Sequence, residues 1–310
     1  VKRWKTLSGP LRWTLVCVFV LAEAAYWLNV YAWLVEPNKF EIRHVTIVDA
    51  RWRGGPVDIA LIGDTHVGSP HVSAARMRDI IKRVSDTEPE LVVLLGDYVG
   101  GHTPEAERTE RQRQEIRDGI DAFSGLHPPL GVIAVLGNHD VWYDREAITQ
   151  ELSDVGARVL WNQNLRIRRP EGDFVVAGLA DADTGEPDFT GALQGAPGNL
   201  PSVVISHNPD PFAERPDNVW LMFAAHTHCG QVWLPFIGRA LVPSQFGERY
   251  ACGLVEEDKD ILYVTGGIGT SILPVRFFNW PEVVFVRVRA PTEEELAEKA
   301  AEEAEAAGAH

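Results

Sequence analysis

The sequence predicts an α/β protein carried behind one apolar helix of membrane-spanning length. Three observations predict it. Short runs rich in Val, Ile and Leu alternate with polar amphipathic stretches long enough to be helices. Five of those runs end in small polar clusters that hold Asp, Asn or His. Ahead of them, residues 13–35 contain only Thr14, Glu23 and Asn29 as polar side chains.

Residues 1–12 form a basic flank through Lys2, Arg3, Lys5 and Arg12. As a helix, segment 13–35 spans about 34 Å at 1.5 Å per residue, enough to cross a bilayer. Trp27, Tyr31 and Trp33 gather near its far end, where amphipathic rings favour the lipid–water boundary. The segment is read as a transmembrane helix or signal anchor, single-pass. The basic flank predicts a cytoplasmic N-terminus and an extracytoplasmic domain; Lys39, Arg43, Arg51 and Arg53 dilute that asymmetry and leave a cytoplasmic face as the alternative. Two other readings compete, a signal peptide cleaved near Ala22-Glu23-Ala24 and a buried core helix, because Glu23 is costly in lipid.

Residues 36–290 are expected to form one domain. Val57 to Ile62 ends in Gly63-Asp64-Thr65-His66, and Leu91 to Leu95 in Gly96-Asp97. Val132 to Leu136 ends in Gly137-Asn138-His139-Asp140, Val203 to Ser206 in His207, and Val219 to Ala225 in His226-Thr227-His228. Ligands in open α/β sheets bind beyond the carboxyl ends of the strands, so these clusters are expected to converge. The glycines are expected to turn the backbone sharply. In extended chain, Asp64 and His66 would share one direction, as would His226 and His228, with Thr65 and Thr227 facing away. Carboxylate, imidazole and amide oxygen together suit Mn²⁺, Fe²⁺, Zn²⁺ or Mg²⁺.

The chain has 310 residues, 45% hydrophobic and 24% charged, which excludes a disordered or polytopic membrane protein. Its net charge of −15 has the wrong sign for neutralising a phosphate backbone, which argues against a nucleic-acid partner. Three cysteines cannot build a disulfide framework; Cys229 and Cys252 could pair, and a small hydrophobe is the default reading of Cys229. Residues 291–310 read as an acidic Glu/Ala-rich tail, with Thr292 and Glu295 at capping-box spacing.

The series Asp-x-His, Gly-Asp, Gly-Asn-His-Asp, His and His-x-His resembles the calcineurin-like metallophosphoesterases. Ser206-His207-Asn208-Pro209-Asp210, His226-Thr227-His228-Cys229-Gly230-Gln231, Pro274-Val275-Arg276 and Pro281-Glu282-Val283 are similar to the membrane-associated YaeI/YkuE-like branch. The resemblance covers residues 40–288 and implies a four-layer αββα sandwich with a dinuclear site at one edge. It implies that Asp64, His66 and His228 hold one ion, that Asn138, His207 and His226 hold the second, and that Asp97 bridges both. Two divalent ions are therefore expected, Mn²⁺ favoured. Ala225 and Cys229 stand where the family usually has Gly.

Such ions, about 3.5–4 Å apart, lower the pKa of a bridging water and spread the charge of an in-line displacement. His139 is the candidate to protonate the leaving oxygen or stabilise the transition state, with Asp140 orienting its ring; the competing role for His139 is capping a helix that starts near Asp140. Arg276 and Asn279 either approach substrate or brace the site, and Tyr98 either lines the pocket or belongs to the core. His44, His71, His102, His127 and His310 receive no role.

The implied function is a membrane-anchored phosphoesterase cleaving a phosphodiester or pyrophosphate bond, with a lipid-linked substrate such as UDP-2,3-diacylglucosamine. That substrate is cytosolic and conflicts with an exported domain. A small-nucleotide or cyclic-nucleotide phosphodiesterase or nuclease is the second enzyme reading, and a metal-binding membrane scaffold the non-enzyme one. The sequence leaves the oligomeric state open.

Overall fold

The computed structural model describes residues 9–239 and 241–308; Lys2, Arg3, Lys5 and His310 lie outside the described residues. Helix α1 (Gly9–Val30) continues through a π turn (Tyr31–Val35) and a 3-10 turn (Glu36–Asn38). None of the side chains of α1 is buried, which rules out the core-helix reading. Thr14 donates to Pro10 O and Asn29 to Ala25 O, so these two polar groups are satisfied within the helix, as an apolar solvent demands. This is one helix long and apolar enough to cross a membrane.

Two six-stranded sheets follow. The first is built from β1 (Glu41–Val48), β2 (Val57–Ile62), β3 (Leu91–Leu94), β4 (Val132–Ala134), β5 (Ala157–Val159) and a late strand, Glu282–Arg289. The late strand lies between β1 and β2, and β2 through β5 run parallel in sequence order. The second sheet holds β6 (Gln163–Ile167), β7 (Phe174–Gly178), β8 (Ser202–Ile205) and β9 (Leu221–Ala224), then two strands at Gly253–Glu257 and Asp260–Val264. Between β9 and those two strands runs a small hairpin, β10 (Trp233–Leu234) with β11 (Gly238–Arg239). The two strands after it are β12 and β13, and the late strand of the first sheet is β14.

Period-2 alternation builds the layers. In β2, Ile59 and Leu61 face the second sheet, while Ala60 and Ile62 face the helices. In β9, Leu221 and Phe223 face the first sheet, while Met222 and Ala224 face outward. Strands buried on both faces must be apolar throughout, which is why these runs showed no polar alternation.

Outside the first sheet lie α2 (Ala74–Ser85), α3 (Glu110–Asp121) and α4 (Asn138–Asp154). The Ser73 hydroxyl caps α2 by accepting from Arg76 N–H, and Met77, Ile80, Ile81 and Val84 form its buried stripe. Each such side chain contributes about 1.5–3 kcal/mol relative to exposure. The outer layer of the second sheet is thinner. It consists of the short α5 (Phe189–Ala192) and single turns at Asp210–Glu214 and Gly247–Tyr250. The tail forms α6 (Glu293–Gly308), where Thr292 N–H donates to Glu295 and Glu295 N–H to Thr292 Oγ1, completing the expected capping box.

Candidate metal centre

The carboxyl ends of β2, β3 and β4 from one sheet meet those of β8 and β9 from the other. Every expected ligand is buried at that seam: Asp64, His66, Asp97, Asn138, His207, His226 and His228. Gly63 and Ala225 mark the contact, since a Cβ on Gly63 would lie 2.7 Å from that of Ala225. The alanine is accommodated because its neighbour has no side chain.

Two donor groups converge. His66 Nε2 lies 3.0 Å from His228 Nε2, which is 3.9 Å from Asp64 Oδ1. His207 Nε2 lies 3.2 Å from Asn138 Oδ1 and 3.1 Å from His226 Nδ1. Asp97 Oδ2 sits between the groups, 3.5 Å from His66 Nε2 and 3.4 Å from His207 Nε2. Donors about 2.0–2.2 Å from one ion at tetrahedral or octahedral angles stand roughly 3.0–3.5 Å apart, so most of these separations fit a divalent metal.

The far nitrogens fit as well. A metal-binding His usually donates its other N–H to a carbonyl or carboxylate. His66 Nδ1 lies 3.3 Å from Val99 O, His207 Nδ1 is 2.8 Å from Leu95 O, and His226 Nε2 is 3.3 Å from Asp183 Oδ2. Asp64 Oδ2 and His228 Nδ1 are buried without a hydrogen-bond partner; for the carboxylate oxygen, a cation would supply one.

Electrostatics divide the donors. Burial lowers His66 and His226 to about 3 and His228 well below its usual range, leaving each ring in the neutral form that ligates. Burial raises Asp64 to about 7. Burial also opposes charge on His207 and on Asp97, but their mutual attraction outweighs it, raising His207 and holding Asp97 well below the carboxylate range.

The backbone reaches this arrangement differently from the extended chain expected. Asp64, His66, His226 and His228 have φ of +49°, +46°, +70° and +50°, and Asp97 has +56°. Left-handed turns, not strand alternation, aim the pairs together, while Thr65 and Thr227 do face away, donating to Tyr98 O and Ala251 O. Of Gly63, Gly96 and Gly137, which end the first three strand runs, only Gly96 takes a left-handed φ, +88°; Gly63 and Gly137 are required by space.

Contrary to the expectation from sequence, Asp140 does not orient the His139 ring. It sits in the first turn of α4, which starts at Asn138, and accepts the N–H groups of Asp97, Tyr98, Val99 and Gly137 at 2.8–3.2 Å. It therefore holds the Asp97 loop onto the helix. The His139 ring is held by Gly101 O, 2.9 Å from Nδ1, leaving Nε2 toward the site, 3.8 Å from Asp97 Oδ2 and 3.5 Å from Ser271 Oγ. His139 N–H also donates to Asp97 Oδ1 at 2.9 Å.

Other residues resolve similarly. Tyr98 is core, its hydroxyl donating to Val135 O. Arg276 and Asn279 brace the site: Arg276 is fully buried and donates to Gly266 O and Gly269 O, and Asn279 Nδ2 donates to His228 O. Gly269 N–H in turn donates to Asp64 O. Cys229 is not a free small hydrophobe but is disulfide-bonded to Cys252.

Three residues near the site were missed. His102 packs against His139 with ring centroids 4.6 Å apart and planes tilted by 40°, and Trp142 lies 5.1 Å from the same ring, half-exposed. Asp183 follows β7 in Gly178-Leu179-Ala180-Asp181-Ala182-Asp183, a sixth strand end of the same pattern that sequence could have revealed.

The chain matches the calcineurin-like phosphoesterase family over residues 57–230. It is 29% identical to the phosphodiesterase YaeI of Escherichia coli (strain K12), over 83% of this chain and 92% of that one. It is 27% identical to the metallophosphoesterase YkuE of Bacillus subtilis (strain 168), over 84% and 89% respectively. It is 25% identical to the UDP-2,3-diacylglucosamine pyrophosphatase LpxG of Chlamydia muridarum (strain MoPn / Nigg), over 74% and 82%. The matched stretch opens at the first residue of β2 and closes two residues after His228, enclosing the whole donor cluster. On that match, which spans more than half its length, this chain belongs to the calcineurin-like phosphoesterase family, hydrolases that depend on metal ions to cleave phosphoric ester or diphosphate bonds.

Proposed function

We propose that this enzyme is anchored by α1 and cleaves a phosphodiester or pyrophosphate bond in a lipid-linked substrate outside the cytoplasm. The observation that carries the reaction is the position of Asp97 between the two donor groups. In this reading Asp64, His66 and His228 hold one divalent ion, and Asn138, His207 and His226 hold a second. Asp97, whose Oδ2 lies between the two groups, would be shared by both ions; Mn²⁺ is the favoured ion. When bound, such a pair supplies Lewis acidity toward phosphate oxygens and a water of lowered pKa.

The residues of the chain do the rest. The Gly101 carbonyl accepts from Nδ1–H and fixes the His139 ring with Nε2 toward the site, where the imidazolium form would deliver a proton to the leaving oxygen. Asp140 fixes the Asp97 loop, and Asp183 fixes the His226 ring. Burial of the donors excludes bulk water and strengthens every charge–dipole interaction in the site.

The similarity to LpxG supports a lipid diphosphate as substrate. The Cys229–Cys252 disulfide supports an oxidising compartment, which argues against a cytosolic nucleotide lipid and for a phosphoester on the outer membrane face. A second reading, a small-nucleotide phosphodiesterase, is favoured by the half-exposed Trp142 ring beside His102 and His139, a surface on which a base can stack.

The test is hydrolysis by detergent-purified full-length protein loaded with Mn²⁺, offered a phospholipid diester, UDP-2,3-diacylglucosamine, a cyclic nucleotide and a generic aryl diester. Asp97→Asn serves as the blank. Preference for the phospholipid diester supports the proposal, whereas preference for UDP-2,3-diacylglucosamine keeps a lipid-linked substrate but overturns its place outside the cytoplasm. Preference for the cyclic nucleotide, or no discrimination, overturns the lipid-linked substrate.

A further inference from the structure

Not all of the exposed apolar side chains lie on α1. Phe236 is fully exposed at the tip of the β10–β11 hairpin beside Ile237, and Ile272, Leu273 and Phe278 project from the loop before β14. Ile272 is 84% exposed and Ile237 74%. Hairpin and loop form one unit: Val232 bridges Phe277, Trp233 N–H donates to Phe277 O, and the Trp233 ring meets Phe278 at 6.1 Å.

That unit is fixed to the end of the apolar helix. Arg276 N–H donates to Ala32 O at 3.0 Å, and the rings of Tyr31 and Phe277 lie 6.3 Å apart. Ala32 precedes the last apolar residues of the segment, Trp33, Leu34 and Val35, all exposed. Beside them Lys39 Nζ lies 4.0 Å from the Trp280 ring centroid and 3.2 Å from Tyr31 Oη, a cation with aromatic partners of the kind found at the lipid–water boundary. If α1 spans the bilayer, its attachment brings this unit to the depth of the headgroups.

We propose that the hairpin tip and the 272–278 loop dip into the lipid bilayer as an apolar collar, so that the metal centre opens onto the membrane surface. The collar and the site share a loop: Ser271 Oγ is 3.5 Å from His139 Nε2, and the next two residues are the exposed Ile272 and Leu273. A phosphoester headgroup can then reach His139 while its acyl chains stay in the membrane. This rests on the anchored reading above and specifies which surface of the domain meets lipid.

The experiment places an environment-sensitive fluorophore on full-length protein carrying Cys17→Ser and one new cysteine, in phosphatidylcholine/phosphatidylglycerol liposomes doped with a shallow nitroxide lipid. Phe236→Cys tests the collar, Leu21→Cys tests the anchor, and Asp86→Cys is the water-exposed control. Asp86 ends α2 at the opposite end from Arg76, which donates to Pro37 O and Lys39 O. The collar predicts a blue shift and quenching at 236 and at 21, but not at 86.

A wet label at 236 with a quenched one at 21 overturns the collar and keeps the anchor; wet labels at both overturn both. A label at 236 whose shift follows protein concentration and ignores the quencher overturns lipid in favour of a second copy of the chain. Phe236→Ser/Ile237→Ser should lose several-fold turnover on a liposome-embedded diester with unchanged turnover on a soluble aryl diester. Equal turnover on both, relative to the unmodified protein, overturns the role in substrate access.

Discussion

Reduction of the Cys229–Cys252 bond is the perturbation with the clearest arithmetic. The bridge closes a loop with a sequence separation of 23 residues. Chain-entropy bookkeeping for a loop of that size gives about 3.4 kcal/mol of stabilisation, through the states denied to the unfolded chain. With a urea slope of about 3 kcal/mol/M, that predicts a midpoint about 1 M lower in reductant. The assay is urea unfolding followed by tryptophan fluorescence, with and without dithiothreitol, and with Cys229→Ala/Cys252→Ala as a non-reducible comparison. Because Cys229 adjoins His228, Mn²⁺ affinity should fall together with the midpoint. Coincident curves in oxidised and reduced buffer, with both thiols alkylated in intact cells, would refute the reasoning and remove the main support for an extracytoplasmic domain.

Three further outcomes are expected. His139→Ala should lower kcat by about 10²–10⁴-fold while equilibrium dialysis still finds the same Mn²⁺ stoichiometry; metal loss would instead make His139 structural. Gly137→Ala places a Cβ 2.2 Å from Asp97 Oδ1, so Mn²⁺ binding and turnover should collapse by far more than the thermal midpoint shifts; normal metal binding would contradict the proposed bridge. Burial raises Glu151 to about 7 against a usual 4.5, so the folded state holds that proton more tightly than the unfolded chain does. Stability from this group therefore falls as pH rises from about 4.5 to 7, and Glu151→Gln should raise Tm at pH 8 yet leave it unchanged at pH 4. The effect is modest for a half-buried group, and an equal Tm change at both pH values would disprove it.

The strand ends were legible because burial on both faces forces apolar runs, and the polar residue that ends each run must have another reason to be there. Strand Val57–Ile62 coincides with the run read from sequence and Leu91–Leu94 ends one residue short of its run, with Asp64 and Asp97 following them. The parallel pairing of β1 with β14 was not legible, since Glu41 meets Glu282 across nearly the whole domain and no local pattern encodes it. His102 and Trp142 were invisible for a related reason. Their contacts with His139 come from the packing of a loop on the first turns of α4, whereas strand-end spacing speaks only to residues that immediately follow a strand. Adjacency to His139 suggests a ring contact for Asp140, whereas the helix geometry turns its carboxylate toward the N–H groups of the Asp97 loop.

Five of the proposed metal-binding positions adopt a conformation that L-residues with bulky side chains resist. Substitution at Asp64, His66, Asp97, His226 and His228 is thus filtered twice, once by what donor atom the newcomer offers and once by whether its Cβ tolerates a left-handed turn. Asn and Asp pass the second filter more easily than Gln, Glu or any β-branched residue. A library randomised at Asp64 or Asp97 and sorted only for folded protein should therefore enrich Asn and Gly before Glu, although Glu keeps the charge. Drift at these positions is channelled toward amide and glycine variants, and a member of the family that has lost its metals should carry that signature.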